Sequence, residues 1–254
     1  MLAVVDPNVL NFYILLGPAM APLVASVITV ASVALSITIA KSFFRSYSFA
    51  GFGYLLGLPV GFAFLGASFL FELASVLLVS DPILYPAFFW IQMLLQAEAF
   101  ALIALSYYYK NSSAEKGRHV GRDIAITVVP LLMVAIPFLL PTSLLAFEPY
   151  FDYPGFATLS FYLRVLNIVV IGYIFKSAIA SLVRAANIRL LYVPAAFALL
   201  WLEQYSLVIA FFDNSAVAFI GSTLARVAGL AIFAYIMHSA TSRRKMEIEA
   251  RKAA

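Results

Sequence analysis

Polar and apolar positions in this chain are segregated into long blocks. Seven apolar runs are long enough to cross a bilayer, at 13–40, 49–79, 87–109, 124–146, 157–183, 190–212 and 216–239. A membrane-spanning helix takes about 20 such residues. The predicted fold is all-α: a polytopic integral membrane protein with seven transmembrane helices in residues 1–240 and a short charged tail at 241–254. Turn-forming residues separate several runs, at Asp81-Pro82, Tyr153-Pro154-Gly155 and Asp213-Asn214-Ser215.

Charge gives the runs a direction. Lys41 and Arg45 follow the first run, Lys110, Lys116, Arg118 and Arg122 the third, Lys176, Arg184 and Arg189 close the fifth, and Arg243, Arg244, Lys245, Arg251 and Lys252 follow the last. The opposite ends hold Asp6, Asp81, Glu148, Asp152 and Asp213. By the positive-inside rule the N-terminus is expected outside and the C-terminus in the cytoplasm. The expected location is the cell membrane, crossed several times. The first run has Asp6 and no basic residue ahead of it, so it is read as a retained helix and not as a signal peptide.

Composition agrees: 64% of residues are hydrophobic and 11% charged, against roughly half and a quarter in soluble domains. The net charge of +4 is distributed as topology requires, so nucleic acid is not an expected partner. The expected partners are the lipid bilayer and either other membrane subunits or a separate cytoplasmic signalling protein. The absence of cysteine excludes disulfides, thiolate metal sites and cysteine nucleophiles.

Helices in lipid associate through small residues and hydrogen bonds. Gly53, Gly57 and Gly61 form such a stripe in the second run, continuing through Ser68 to Glu72, which lies within about 20° of Gly61. This face is expected to meet the first or third helix, with Pro59 bending the second. Ala25, Thr29, Ser32 and Ser36 make a similar face on the first run. In the third run Gln92 and Gln96 share one face and Glu98 points about 160° away from Gln96, so that helix is expected to be surrounded by others. The fourth run, with Pro130, Pro137 and Pro141 and no charge, is expected to face lipid.

Five charges lie inside the apolar runs: Glu72, Glu98, Arg164, Glu203 and Arg226. Charge near mid-bilayer costs at least a few kcal/mol unless paired or wetted. At 1.5 Å per residue, Glu72 and Arg164 fall about 12 Å below the outer boundary, and Glu98, Glu203 and Arg226 about 15 Å. They are read as one buried polar layer, with Asn167 and Gln96 as uncharged members. Three carboxylates face two guanidinium groups, so either one glutamate carries a proton or a cation or water completes the set. The expected pairs are Arg226 with Glu98, and Arg164 with Glu203 or Glu72. Hydroxyls at Ser160, Ser206, Ser222 and Thr223 lie one turn away. The layer is either an ion-pair network that fixes helix register or a ligand, ion or proton site.

Several chemistries are missing. No histidine lies in the layer, so di-iron and haem ligation have no basis, and no phosphate loop, HExxH or GxSxG motif occurs. No cofactor is expected, and without a nucleophile or metal-ligand set enzymatic activity is not expected either. The segment Leu224-Ala225-Arg226-Val227-Ala228-Gly229 is loosely similar to the retinal-bearing helix of the rhodopsins, but that family needs a lysine for its Schiff base and Arg226 cannot form one. Transporters of the PQ-loop kind share the span count, but their Pro-Gln pair is missing. Neither resemblance assigns a family. The expected function is a non-enzymatic sensor or ligand-binding module acting with a partner protein. The alternatives are an ion- or proton-coupled transporter and a non-catalytic subunit of a larger membrane complex.

Overall fold

The computed structural model describes residues 20–50, 56–78, 84–111, 153–185, 188–213 and 215–253. These form six long helices: α1 (Met20–Ala50), α2 (Gly57–Leu77), α3 (Leu84–Asn111), α4 (Tyr153–Ala185), α5 (Tyr192–Asp213) and α6 (Ala216–Ala253). A 3-10 turn at Ile188–Leu191 leads into α5. All six helices contain a stretch long and apolar enough to cross a membrane. The protein is thus all-helical and of the multi-pass membrane class. Large apolar side chains such as Leu23, Val27, Leu70, Val169 and Val217 stay exposed, as lipid-facing positions do. The predicted fourth run, 124–146, lies outside the described residues.

Each helix packs on the next, and α6 returns to α1, so the described helices close a ring. Most neighbours are antiparallel. Phe43 of α1 stacks on Phe62 of α2, Phe71 of α2 meets Phe88 of α3, Phe161 of α4 meets Phe211 of α5, and Tyr192 of α5 meets Tyr235 of α6. The pair α3 and α4 is different. Tyr107, late in α3, packs on Phe197, early in α5, whereas Phe161, early in α4, packs on Phe211, late in α5. Both α3 and α4 therefore oppose α5 and run in the same direction.

The small-residue stripe of α2 meets α3. A Cβ at Gly61 would lie 2.9 Å from the Ala99 carbonyl oxygen and 2.7 Å from Ile103, and one at Gly57 would strike the Leu102 carbonyl and Ser106. Only glycine permits backbones this close. The other edge of α2 meets α1, where Thr29, Ser32 and Ser36 are all buried. The most deeply buried of the six spans is that of α3.

Three local expectations are corrected. Lys41 and Arg45 do not follow the first helix but lie within α1, which runs on to Ala50. Pro59 causes no mid-helix bend, because α2 begins at Gly57 and a proline in the first turn breaks no intrahelical bond. Tyr153-Pro154-Gly155 is the first turn of α4, not a preceding loop, for the same reason. The turn expected between the last two runs is present: Ser215 Oγ accepts from the Ala218 amide at 3.3 Å as α6 starts.

Candidate functional site: a buried polar cluster

Three charged side chains converge inside the ring from α2, α5 and α6. Arg226 Nη1 donates to Glu72 Oε2 at 2.6 Å and lies 4.0 Å from Glu203 Oε1. The Arg226 guanidinium also sits over the Phe69 ring, 4.7 Å from its centroid. Phe69 and Glu72 are one turn apart on α2, so one face of that helix supplies both the counter-charge and the aromatic surface. Glu203 is 1% exposed, and the Glu72 side chain 21%, so the pair is open on the Glu72 side.

An amide pair lies beside the ionic one. Asn167 Nδ2 on α4 donates to Gln204 Oε1 on α5 at 3.2 Å, and both residues are buried. Arg164, one turn before Asn167, is buried and acts electrostatically on Glu203. The ionic contacts of the cluster join Glu72, Glu203 and Arg226, with Arg164 within electrostatic range of Glu203.

The sequence-derived set is partly brought together. Glu72, Glu203, Arg226, Arg164 and Asn167 belong to the cluster. The expected Arg226–Glu98 ion pair is not formed among the described residues, because the guanidinium turns across the ring to α2. Glu98 and Gln96 are buried on α3, with no ion pair or hydrogen bond to the cluster among the described residues. Ser222 and Thr223 do not serve Arg226 either, since both hydroxyls donate to the Phe219 carbonyl of their own helix, at 2.6 and 2.9 Å. Gln204 was missed. Its signal is the same as that of Glu203, a polar group in the middle of the run 190–212.

Several buried atoms of the cluster have no hydrogen-bond partner among the described residues: Arg226 Nε, Glu203 Oε2, Gln204 Nε2 and Asn167 Oδ1. They are two donors and two acceptors. Buried polar groups are nearly always satisfied by protein, water or ligand, so this set can take further hydrogen bonds of both senses. No group of His, Cys, Asp and Glu suited to a metal occurs among the described residues.

The interior beyond the cluster, toward the α6 tail, is apolar. Phe43, Phe62, Phe233, Phe197 and Tyr107, from five different helices, form a chain of rings with centroids 5.5, 5.2, 4.8 and 5.8 Å apart in sequence. At 1.5 Å per residue Phe62 is about 15 Å from Glu72, Phe233 about 10 Å from Arg226 and Phe197 about 9 Å from Glu203. Leu65, Leu200 and Leu230, all fully buried, fill the space between the layers. The polar cluster therefore rests on an apolar floor.

No protein-family model, curated protein or solved structure matches the chain. A functional reading therefore rests on the geometry of the described residues.

Proposed function

We propose that this protein is a seven-helix cell-membrane protein, N-terminus outside and tail in the cytoplasm, that binds a small polar ligand in its buried cluster and reports it to a partner protein. The parallel course of α3 and α4 supports a seventh span. α3 ends at the end of the bundle from which the tail leaves and α4 starts at the other, as expected if residues 112–152 carry a further crossing. That stretch contains the apolar run 124–146. Among the described residues the basic positions outside the cluster, such as Lys41, Arg45, Lys176 and Arg184, lie toward the tail end, which supports its cytoplasmic placement.

The observation that carries the ligand reading is the set of unspent hydrogen-bonding atoms around Arg226 and Glu203. An ion-pair network that only fixed helix register would use its donors and acceptors on itself. Output through the tail is supported by α6, a single helix that carries Arg226 and continues to Ala253. A shift of Arg226 on ligand binding moves that helix, and with it the surface offered to a partner.

The test is a thermal-stability screen of the purified chain in lipid nanodiscs against amino acids, carboxylates, amines, sugars and nucleosides. Some compounds should raise the unfolding midpoint, and Gln204→Leu should abolish the effect. An inert panel, or hits indifferent to Gln204→Leu, rejects the reading. A second reading, proton- or ion-coupled transport, rests on Glu98, a buried carboxyl whose Oε1 has no hydrogen-bond partner among the described residues. Proton uptake into proteoliposomes that Glu98→Gln removes would favour it.

A further inference from the structure

We propose that Arg226 is a proton-operated latch: a proton taken up by Glu72 from the side of the bundle opposite the tail passes the guanidinium from Glu72 on α2 to Glu203 on α5. The step needs no ligand, so it stands apart from the reading above. One nitrogen serves both carboxylates. Arg226 Nη1 donates to Glu72 Oε2 at 2.6 Å and lies 4.0 Å from Glu203 Oε1. A shift of about 1 Å brings the second pair to the usual N–H···O length.

The two carboxylates differ in access. The Glu72 side chain is 21% exposed and that of Glu203 2%. Glu72 is about 7 Å from the end of α2 at Leu77, and Glu203 about 15 Å from the end of α5 at Asp213, both ends lying opposite the tail. A proton from that side reaches Glu72 first. Glu72 faces Arg226 of α6 and acts electrostatically on Glu203 of α5, which also feels Arg164 of α4. Of the helices packed on α2, α1 carries Lys41 and Arg45, and α3 carries Glu98 and Lys110. Among the described residues none of these is in ion-pair range of Glu72.

Protonation removes the charge that holds Nη1. A neutral carboxyl keeps a hydrogen bond but loses the Coulombic attraction. Glu203 is then the carboxylate left beside the guanidinium, and leaving a buried charge unpaired is the costlier state. Arg226 therefore moves toward it. The exchange changes which helices are tied. α5 and α6 are packed neighbours, whereas the bond to Glu72 crosses the interior to α2. Phe62 and Phe233 still join α2 and α6 nearer the tail, so acid frees the ends opposite the tail.

The experiment uses the full chain in nanodiscs, which has no cysteine of its own. Spin labels go on Leu77→Cys and Val217→Cys, positions 68% and 77% exposed near the freed ends of α2 and α6. Their separation should grow by about 2 Å between about pH 7.5 and about pH 4, a range that spans ordinary carboxylate titration. Glu72→Gln should show the acid separation at both pH values. Glu203→Gln, with no carboxylate to receive the guanidinium, should lose most of the acid shift, and Glu98→Gln should keep it. A separation that does not change with pH in the otherwise unsubstituted chain overturns the latch. So does an acid shift that survives Glu72→Gln, since another group then titrates. If Glu72→Gln does not fold, Glu203→Gln decides, and an acid shift of full size in that variant overturns the proposal as well.

Discussion

Arg226 and Glu72 are 154 positions apart in sequence and 2.6 Å apart in the fold. The bond joins α6 to α2 across the interior of the ring, where their backbones are not neighbours, and it commits the guanidinium to one side of the cluster.

Removing one partner of a buried ion pair strands the other, at a cost of about 3–5 kcal/mol. Arg226→Met should cost that much, since Glu203 then loses its cation as well. Glu72→Gln should cost less, because Glu72 is the more exposed partner. The double variant should lose less than the sum of the two. Glu98→Gln combined with Arg226→Met should be additive, since no ion pair joins them among the described residues. A double-mutant cycle on thermal stability in detergent measures both terms. Coupling of Arg226 to Glu98 in place of Glu72 would contradict the geometry described.

The approach of α2 to α3 makes a second prediction. A leucine at Gly61 would have to displace the Ala99 carbonyl and Ile103. Gly61→Leu should therefore lower the unfolding midpoint severely or prevent folding. Leu70→Ala, at a position 49% exposed on the same helix, should change stability by no more than about 0.5 kcal/mol. Similar midpoints for the two would mean that the glycine face looks into lipid.

The six described helices were legible because length and apolarity suffice to mark a span. Their ends were not. Arg45 and Pro154 read as loop residues by local chemistry, yet a basic residue can extend a helix past the apolar run, and proline is at home in a first turn. The meeting of Glu72, Glu203 and Arg226 in one layer was legible too, because rise per residue is fixed. Their pairing was not, because depth says nothing about which helices face each other. Depth alone matches Arg226 to Glu98, whereas ring closure by α6 against α1 points Arg226 toward α2. Gln204 shows the remaining gap. It is the neutral neighbour of Glu203, and in lipid an amide also needs a partner, which it finds in Asn167.

Phe233 touches Phe62 on one side and Phe197 on the other, at 5.2 and 4.8 Å between centroids. Truncating a buried phenylalanine costs about 3–5 kcal/mol, and each aromatic pair adds about 0.5–1.5 kcal/mol beyond its buried area. Phe233→Ala should therefore cost at least as much as any single substitution in the polar cluster, and Phe233→Leu markedly less. Phe44→Ala, 57% exposed on α1, should cost about 1 kcal/mol or less. Denaturation of the three variants in the same detergent orders them. A mild Phe233→Ala would mean that the ring layer is loosely packed and does not close the bundle beneath the cluster.

Orientation can be tested on a cysteine-free background, since the chain has none. Asp213 and Arg45 are both exposed and sit at opposite ends of the bundle, Asp213 at the turn into α6 and Arg45 near the end of α1. If every basic cluster faces the cytoplasm, Asp213→Cys should react with a membrane-impermeant maleimide in intact cells and Arg45→Cys should not. Permeabilised cells should label both. A cysteine at Arg243 should behave like the one at Arg45, because α1 and α6 both finish at the tail end. Labelling of position 45 with protection of 213 would invert the protein in the membrane. Labelling of 243 together with 213 in intact cells would break the parity that α1 and α6 share, and the proposed seven-span count would fall with it.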